Sequence, residues 1–355
     1  MRLNRRKPDP GYFIPLPVVR LAINAMGTRF ELVLTGASES SLRAAGEVAL
    51  DEIARAEAAL SPYNPTSQVA HINLMAAERP VKVTPEVFAL LQRAKQVWES
   101  TQGAFDVTVG ALVECWGIGA GRPRTPRTQE LATARARLGM DKLVLDEREL
   151  TVRFKCRGVA LDLGAIGKGY AIDAAVAVLR DAGVTSAFIH AGTSTMYGLG
   201  AAPGGGPWRV AVAAPPTRLT LSTVTQDAAA PGTECSTRAP VCILDLDGAA
   251  LSVSAVWGRA APAFDGPIGH IVDPRTGELV RHTLLSAVTC PSATDADALS
   301  TALVVLGPDG LNSLVARYRG IRALVVCPDR NAGGFKVSSV GIESGYIVGA
   351  RGANA

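Results

Sequence analysis

Between Leu21 and Leu34 apolar and polar residues alternate at a period of two, interrupted at Met26-Gly27-Thr28, which predicts strands over 21–28 and 29–34 joined by a turn. After Gly36 the period lengthens. Leu42, Ala45, Val48, Ala49, Ile53, Ala56 and Leu60 recur at helical spacing, so an amphipathic helix is predicted over 40–60, stopping at Ser61-Pro62. A second helix is predicted over 85–100, with Thr84 as N-cap, Pro85 in the first turn and Gly103 beyond its end. The prolines of Arg122-Pro-Arg-Thr-Pro-Arg127 break every periodicity and predict a loop with solvated arginines. Val159 to Leu163 reads as an apolar strand, 164–169 as a glycine turn, 170–182 as a helix and 187–190 as a strand. The glycine-rich stretch 192–207 is expected to hold only turns and loops. Strands over 208–213, 241–246, 250–254 and 322–326, an extended piece near His270, and helices over 295–306 and 311–317 complete the reading. Helices and strands interleave without a regular βαβ period, which predicts a mixed α+β fold rather than a doubly wound sheet. There is no internal repeat and no clean linker, so 21–345 is expected to form one unit, flanked by tails over 1–20 and 346–355.

Composition narrows the class. The chain has 355 residues, 48% hydrophobic and 19% charged, enough for a large core or two lobes sharing an interface. Lys plus Arg number 36 against 32 for Asp plus Glu, a bias too small to imply nucleic-acid binding. Six cysteines without a CxxC pair and four dispersed histidines give no zinc set, and buried reduced thiols are expected. The basic start (Arg2, Arg5, Arg6, Lys7) is followed by an apolar piece, 11–19, that two prolines interrupt, so it reads as a solvated tail and not as a signal peptide. No run of 18 apolar residues exists, so no membrane span is expected.

Five short segments carry candidate chemistry. In Thr294-Asp-Ala-Asp-Ala-Leu-Ser-Thr301, Asp297 and Thr301 are four apart and stack on one helix face. A carboxylate plus a hydroxyl suits a hard cation such as Mg²⁺; the same residues also suit a capping cluster, with Thr294 or Asp295 as N-cap. In Asp162-Leu-Gly-Ala-Ile-Gly-Lys168-Gly169 the glycines let backbone amides approach a phosphate at a helix N-terminus and Lys168 adds a cation. It is not a Walker A loop, because Gly169 stands where Ser or Thr is required. His270, at the end of an extended segment before an Asp273-Pro-Arg-Thr-Gly277 turn, could serve as a general base. Gly103-Ala-Phe-Asp106 and Ser61-Pro-Tyr63 read individually as turns.

Taken in order, Met26-Gly-Thr28, Ser61-Pro-Tyr63, Gly103-Ala-Phe-Asp106, Leu161-Asp-Leu-Gly-Ala-Ile-Gly-Lys-Gly-Tyr170, His270-Ile-Val-Asp-Pro274 and Ala296-Asp-Ala-Leu-Ser-Thr301 resemble the ApbE-like FAD:protein FMN transferase family from about Ala25 to Gly307. The resemblance implies a two-lobed α+β unit with FAD and metal between the lobes. It implies that Asp297, Thr301 and the backbone carbonyl of Ala165 hold Mg²⁺ against the FAD pyrophosphate. Met26, Tyr63, Ala104, Phe105, Asp106, Asp162, Lys168 and Ile271 would line the FAD site, with Tyr63 offering an aromatic face. The implied reaction moves FMN from FAD, the substrate, to a Thr or Ser hydroxyl of an acceptor protein, releasing AMP, with His270 as candidate base. Two alternatives use the same site: a Mg²⁺-dependent FAD pyrophosphatase, with water attacking, and an idle FAD-binding protein. The chain departs from the family pattern in four places. His190-Ala-Gly-Thr-Ser194 replaces an Asn-x-Gly-Gly-Asp block, so His190, Thr193 or Ser194 would substitute for the missing group. Leu251-Ser-Val-Ser254-Ala255 replaces a Thr-Ser-Gly turn, and Ala298 and Ser300 flank the metal helix's Asp297. Lastly, relatives are often exported lipoproteins, whereas neither signal nor lipobox cysteine is visible, which favours a cytoplasmic compartment.

Overall fold

The computed structural model describes residues 16–119, 123–216, 239–257, 269–329 and 334–343. Most of the two tails, Arg122 and Cys235 lie outside the described residues. The alternating N-terminal pattern forms strands β1 (Val18–Ala25) and β2 (Thr28–Thr35), paired from Val18↔Thr35 to Ala25↔Thr28. The two-residue loop between them has φ of 50° at Met26 and 69° at Gly27. Two positive φ values are what a twist-matched type I′ hairpin requires, and Met26 adopts one despite its side chain.

Helix α1 (Glu39–Leu60) follows, capped by Ser38, and buries Leu42, Ala45, Gly46, Ala49, Ile53, Ala56 and Leu60. That is the stripe expected from spacing, except that Val48 is exposed. A side chain at Gly46 would collide with Leu21 and Leu34, so this glycine lets α1 lie flat on the first hairpin. Next come α2 (Gln68–Met75), β3 (Val81–Lys82) and α3 (Pro85–Ser100), the last capped by Thr84 with proline at its start, as the sequence predicts. Helices α4 (Gly110–Cys115) and α5 (Thr128–Arg135) precede strands β4 (Leu143–Asp146) and β5 (Thr151–Phe154), which join β3 in a three-stranded sheet ordered β3-β5-β4.

Helix α6 (Gly167–Asp181), strands β6 (Ser186–Ala191), β7 (Thr195–Leu199), β8 (Trp208–Ala213), β9 (Pro240–Leu246), β10 (Ala249–Ala255) and β11 (Leu285–Cys290), helices α7 (Ala293–Leu306) and α8 (Gly310–Arg317), and strands β12 (Arg322–Pro328) and β13 (Phe335–Val340) complete the chain. Eight strands form one sheet in the order β1-β2-β6-β7-β10-β11-β12-β13, and every neighbouring pair is antiparallel. The fold is therefore α+β with a mixed arrangement of helices and sheets, as expected.

In its middle this sheet is covered on both faces. Tyr197, Leu199, Ala250, Val288 and Val325 point into the main core with α1, α6 and α7, while Met196, Leu251, Leu285, Ala287, Leu324 and Val326 pack with residues of the β8–β9 hairpin. Burial on both sides explains why β11 has no exposed residue and shows no clean alternation.

Two expectations fail. Residues 159–163 do not form a strand; one bridge joins Ala160 to Val109, and the segment is pinned instead by the Asn73 amide to both backbone groups of Leu161 and by Asp162 N–H to the Val107 carbonyl. The glycine-rich stretch 192–207 contains β7, a fully buried strand, because Gly198 lies against Leu246 and Trp208 where a Cβ would come within 3.0 Å of both. Cys115, Cys242 and Cys290 are buried free thiols, and burial pushes Cys242 and Cys290 up to about 12, which fits their use as small apolar residues.

Candidate functional site

Helix α7 carries the carboxylate around which the candidate site is built. Asp297 is 2% exposed and sits one turn inside the helix, which begins at Ala293 with Ser292 as its cap. The cap is thus neither Thr294 nor Asp295. Asp297 Oδ1 accepts from the Thr195 hydroxyl of β7 at 3.1 Å and the Ser252 hydroxyl of β10 at 3.3 Å. Its Oδ2 accepts from the Gly169 N–H of α6 at 3.0 Å, and the Lys168 ammonium lies 3.4 Å from Oδ1. One carboxylate therefore gathers β7, β10 and the start of α6.

Hydroxyls continue along the same face. Thr301 Oγ1 donates to the Asp297 carbonyl at 3.3 Å and lies 3.2 Å from Ser254 Oγ, which is 2.7 Å from Ser300 Oγ. Register explains the gathering: Ser252 pairs with Thr195 across β10 and β7, and the period-two pleat then brings Ser254 to the same side. Sequence reasoning missed Thr195 and Ser252. Of the three substitutes proposed for the altered block, His190 bonds the Gly192 carbonyl and lies near Glu31, Thr193 is exposed, and Ser194 bonds the Ala191 carbonyl. The residue that reaches Asp297 is the next one, Thr195.

The glycine turn before α6 meets this carboxylate edge-on. Asp162 Oδ1 accepts from Gly164 N–H at 2.8 Å, and Lys168 Nζ donates to the Gly164 carbonyl at 3.1 Å, so the turn is tied from both sides. The first residues of α6 have no side-chain cap. Gly169 N–H, one of the first amides of α6 and without an acceptor inside the helix, donates to Asp297, and no hydrogen bond to the Ala165 carbonyl exists among the described residues. The Asp297 carboxylate and the Thr301 hydroxyl one turn on, with a backbone carbonyl such as that of Ala165, would make an all-oxygen donor set that fits a hard cation. Among the described residues no group of three or more His, Cys, Asp or Glu could hold a metal. A cation here would depend on one carboxylate and complete its shell with water and substrate oxygens, the habit of Mg²⁺.

The remaining candidates surround this centre at different depths. Met26 N–H donates to Glu57 at 2.6 Å, and a Cβ on Gly167 would lie 4.0 Å from Met26 Sδ, so the strained hairpin loop reaches the start of α6. Tyr63 is 67% exposed, with its hydroxyl against Gly119; partial burial and then the Asp162 carboxylate push its pKa up. Ala104 and Ile271 are buried in one cluster with Val304 and Val305 of α7, which brings the 103–106 and 270–274 blocks to the helix that carries Asp297. Phe105, by contrast, is in the main core, so its side chain is a packing group. Asp106 is also buried; its Oδ1 accepts from the Thr108 N–H and hydroxyl at 2.7 and 2.6 Å, and burial nonetheless pushes its pKa up. His270 is half-buried immediately before Ile271, beside an Asp273 that is clamped by Arg275.

A chain with this long antiparallel sheet and this set of motifs has known relatives in sequence and in fold. A model of the ApbE family matches residues 26–325. The chain is 32% identical over 303 residues to the FAD:protein FMN transferase of Treponema pallidum, covering 82% of this chain and 80% of that one. It is 29% identical over 320 residues to a FAD:protein FMN transferase of Klebsiella pneumoniae, covering 88% and 84%. Among solved structures, the ApbE protein of Thermotoga maritima matches with a TM-score of 0.76 at 27% identity, covering 91% of this chain and 97% of that one. The flavinyl transferase ApbE of Pseudomonas stutzeri, in its apo form, matches at 0.74 and 27%, covering 93% and 97%. The chain belongs to the ApbE family.

Proposed function

We propose that this protein is an FAD:protein FMN transferase that moves FMN from FAD to a Thr or Ser hydroxyl of an acceptor protein and releases AMP, in a Mg²⁺-dependent reaction. The observation that carries the reading is the buried Asp297 carboxylate, which gathers Thr195, Ser252, Lys168 and the uncapped start of α6 and has Thr301 one turn on along its own helix. A helix N-terminus with a neighbouring ammonium attracts a pyrophosphate, since free amides and the helix dipole favour negative charge. Asp297, Thr301 and Ala165 would hold the cation, which when bound neutralises charge on the phosphoryl oxygens. In this reading the two lobes are the eight-stranded sheet with its helices and the smaller part around the three-stranded sheet, with FAD between them.

The chain's own residues supply orientation and proton transfer. Lys168, held by Asp297 and the Gly164 carbonyl, presents its charge at one place rather than sampling solvent. Met26, Ala104, Asp106, Asp162 and Ile271 line the FAD site around it, Phe105 supports it from the core, and exposed Tyr63 stacks on a ring of the substrate. His270 takes the proton from the acceptor hydroxyl as that oxygen attacks the FMN phosphorus. The new O–P bond replaces the pyrophosphate P–O bond, and AMP departs with the electron pair. The test is incubation with FAD, Mg²⁺ and candidate acceptors, following AMP by chromatography and covalent flavin by in-gel fluorescence. AMP together with a fluorescent acceptor supports transfer. AMP and free FMN with every acceptor would establish a pyrophosphatase, and FAD binding without AMP would establish a binding protein.

A further inference from the structure

Helices α6 and α7 cap each other. The α6 N-terminus lacks a capping side chain of its own, and its Gly169 N–H is satisfied by Asp297 of α7. Conversely, Asp173 of α6 accepts four hydrogen bonds from the start of α7: the Ala293 N–H to Oδ1 at 2.8 Å, and the Ser292 hydroxyl, Thr294 N–H and Thr294 hydroxyl to Oδ2 at 2.7, 2.9 and 2.7 Å. As the helix's own cap, the Ser292 hydroxyl accepts from one amide, Asp295 N–H, at 3.2 Å. Gly169 and Asp173 are one turn apart on α6, and Ala293 and Asp297 are one turn apart on α7. Between them the backbones touch: a side chain at Gly169 would overlap the Ala293 carbonyl and come within 2.8 Å of Thr294 Cα. The two helices are therefore locked at two points a turn apart, and both locks use a carboxylate against backbone amides.

We propose that Asp173 is a positioning residue for the divalent cation: by fixing α7 in register on α6 it holds Asp297 and Thr301 opposite the Ala165 carbonyl. The proposal rests on the metal assignment made above. Asp173 touches neither substrate nor metal in this scheme. Loss of its four bonds would free the first turn of α7 to slide along α6, and the distance between Ala165 and Asp297 would no longer be set. Groups that hydrogen-bond metal ligands commonly cost about 10–100-fold in metal affinity when removed, and for Asp173, which acts on the ligands through the start of α7, that range is the upper bound.

The experiment titrates the full chain with Mn²⁺ in the presence of FAD and without acceptor, counting free ion by electron paramagnetic resonance, for the parent, Asp173→Ala, Asp173→Asn and Asp297→Ala. Asp173→Ala is expected to weaken Mn²⁺ binding by up to roughly 10–100-fold, Asp173→Asn by less, since its amide oxygen still accepts from the helix start, and Asp297→Ala to abolish it. Raising Mg²⁺ should restore the AMP-release rate of Asp173→Asn, because the defect lies in half-saturation and not in the saturated rate. Parental Mn²⁺ affinity in folded Asp173→Ala or Asp173→Asn, with binding lost in Asp297→Ala, would overturn the positioning role and leave the metal site standing. Equal binding by parent and Asp297→Ala, or none by the parent, would overturn the metal site itself. Should Asp173→Ala fail to fold, Asp173→Asn decides.

Discussion

Replacing Asp297 is expected to damage both turnover and stability, and the structure sets the size of each. In Asp297→Ala the Gly169 N–H loses its acceptor and the Lys168 ammonium, whose side chain is 14% exposed, loses its counter-charge. Removing one partner of a buried ion pair costs about 3–5 kcal/mol, and an unsatisfied buried donor about 1–3 kcal/mol. The Gly164 carbonyl still accepts from Lys168, and Thr195 and Ser252 can bond each other at 3.2 Å, so the lower end, about 3 kcal/mol, is expected. Asp297→Asn keeps an acceptor for Gly169 while discarding the charge, so most of the stability should return. Turnover should not return in either variant, because in the proposed reaction this charge would hold the phosphoryl-bound cation, and its loss removes several kcal/mol of transition-state stabilisation, roughly 10³-fold in rate. Urea unfolding measures the first effect, and AMP release at saturating FAD and fixed Mg²⁺ the second. Near-parental AMP release by both variants would refute the site. A parental urea midpoint for Asp297→Ala would refute the claim that this carboxylate also holds the helices together.

Tyr63→Ala should weaken FAD binding by about 1 kcal/mol, roughly fivefold, with little change in stability because the ring is exposed; superimposable FAD titrations would make Tyr63 a turn residue only. His270→Ala should slow transfer at saturating FAD by about 10²–10⁴-fold while the FAD dissociation constant stays put; a normal saturated rate with weaker binding would remove His270 from the reaction. Asp106 gives a pH signature. Burial raises its pKa above the ordinary 3.8, so between that value and the raised one the native state retains a proton that the unfolded chain has released, and stability falls as pH rises through the window. Asp106→Asn should therefore show a higher urea midpoint than the parent at neutral pH, with the gap narrowing as pH drops to the ordinary carboxylate range; a pH-independent gap would contradict this.

How much was legible follows from how local each feature is. The stripe on α1, the Thr84-Pro85 start of α3 and the Asp297-Thr301 pair depend on residues within a few positions of one another, so spacing alone exposes them. The α7 start was within reach too, since Ser292-x-x-Asp295 has the form of a capping box. Thr195 and Ser252 were not: they come to Asp297 from 102 and 45 residues away, through a strand pairing that no local period announces. One signal did exist, the alternation of Ser252 and Ser254 with Leu251 and Val253, which separates a polar face from an apolar one inside a strand. Asp173 carries no signal at all, since on a helix in isolation it is one more acidic residue.

The pairing of Ser252 with Thr195 also makes the site sensitive to parity. An insertion of one residue in β10 ahead of Ser252 would turn Ser252 and Ser254 toward the β8–β9 hairpin and swing Leu251 and Val253 against Asp297, while leaving strand pairing and apolar content almost unchanged. An insertion of two would restore the facing. Odd-length insertions ahead of Leu251 should thus do more damage than even ones, which keep the hydroxyl face toward α7 but displace Ser252 along the strand, a difference that an indel scan of 249–255 would reveal without reference to any ligand.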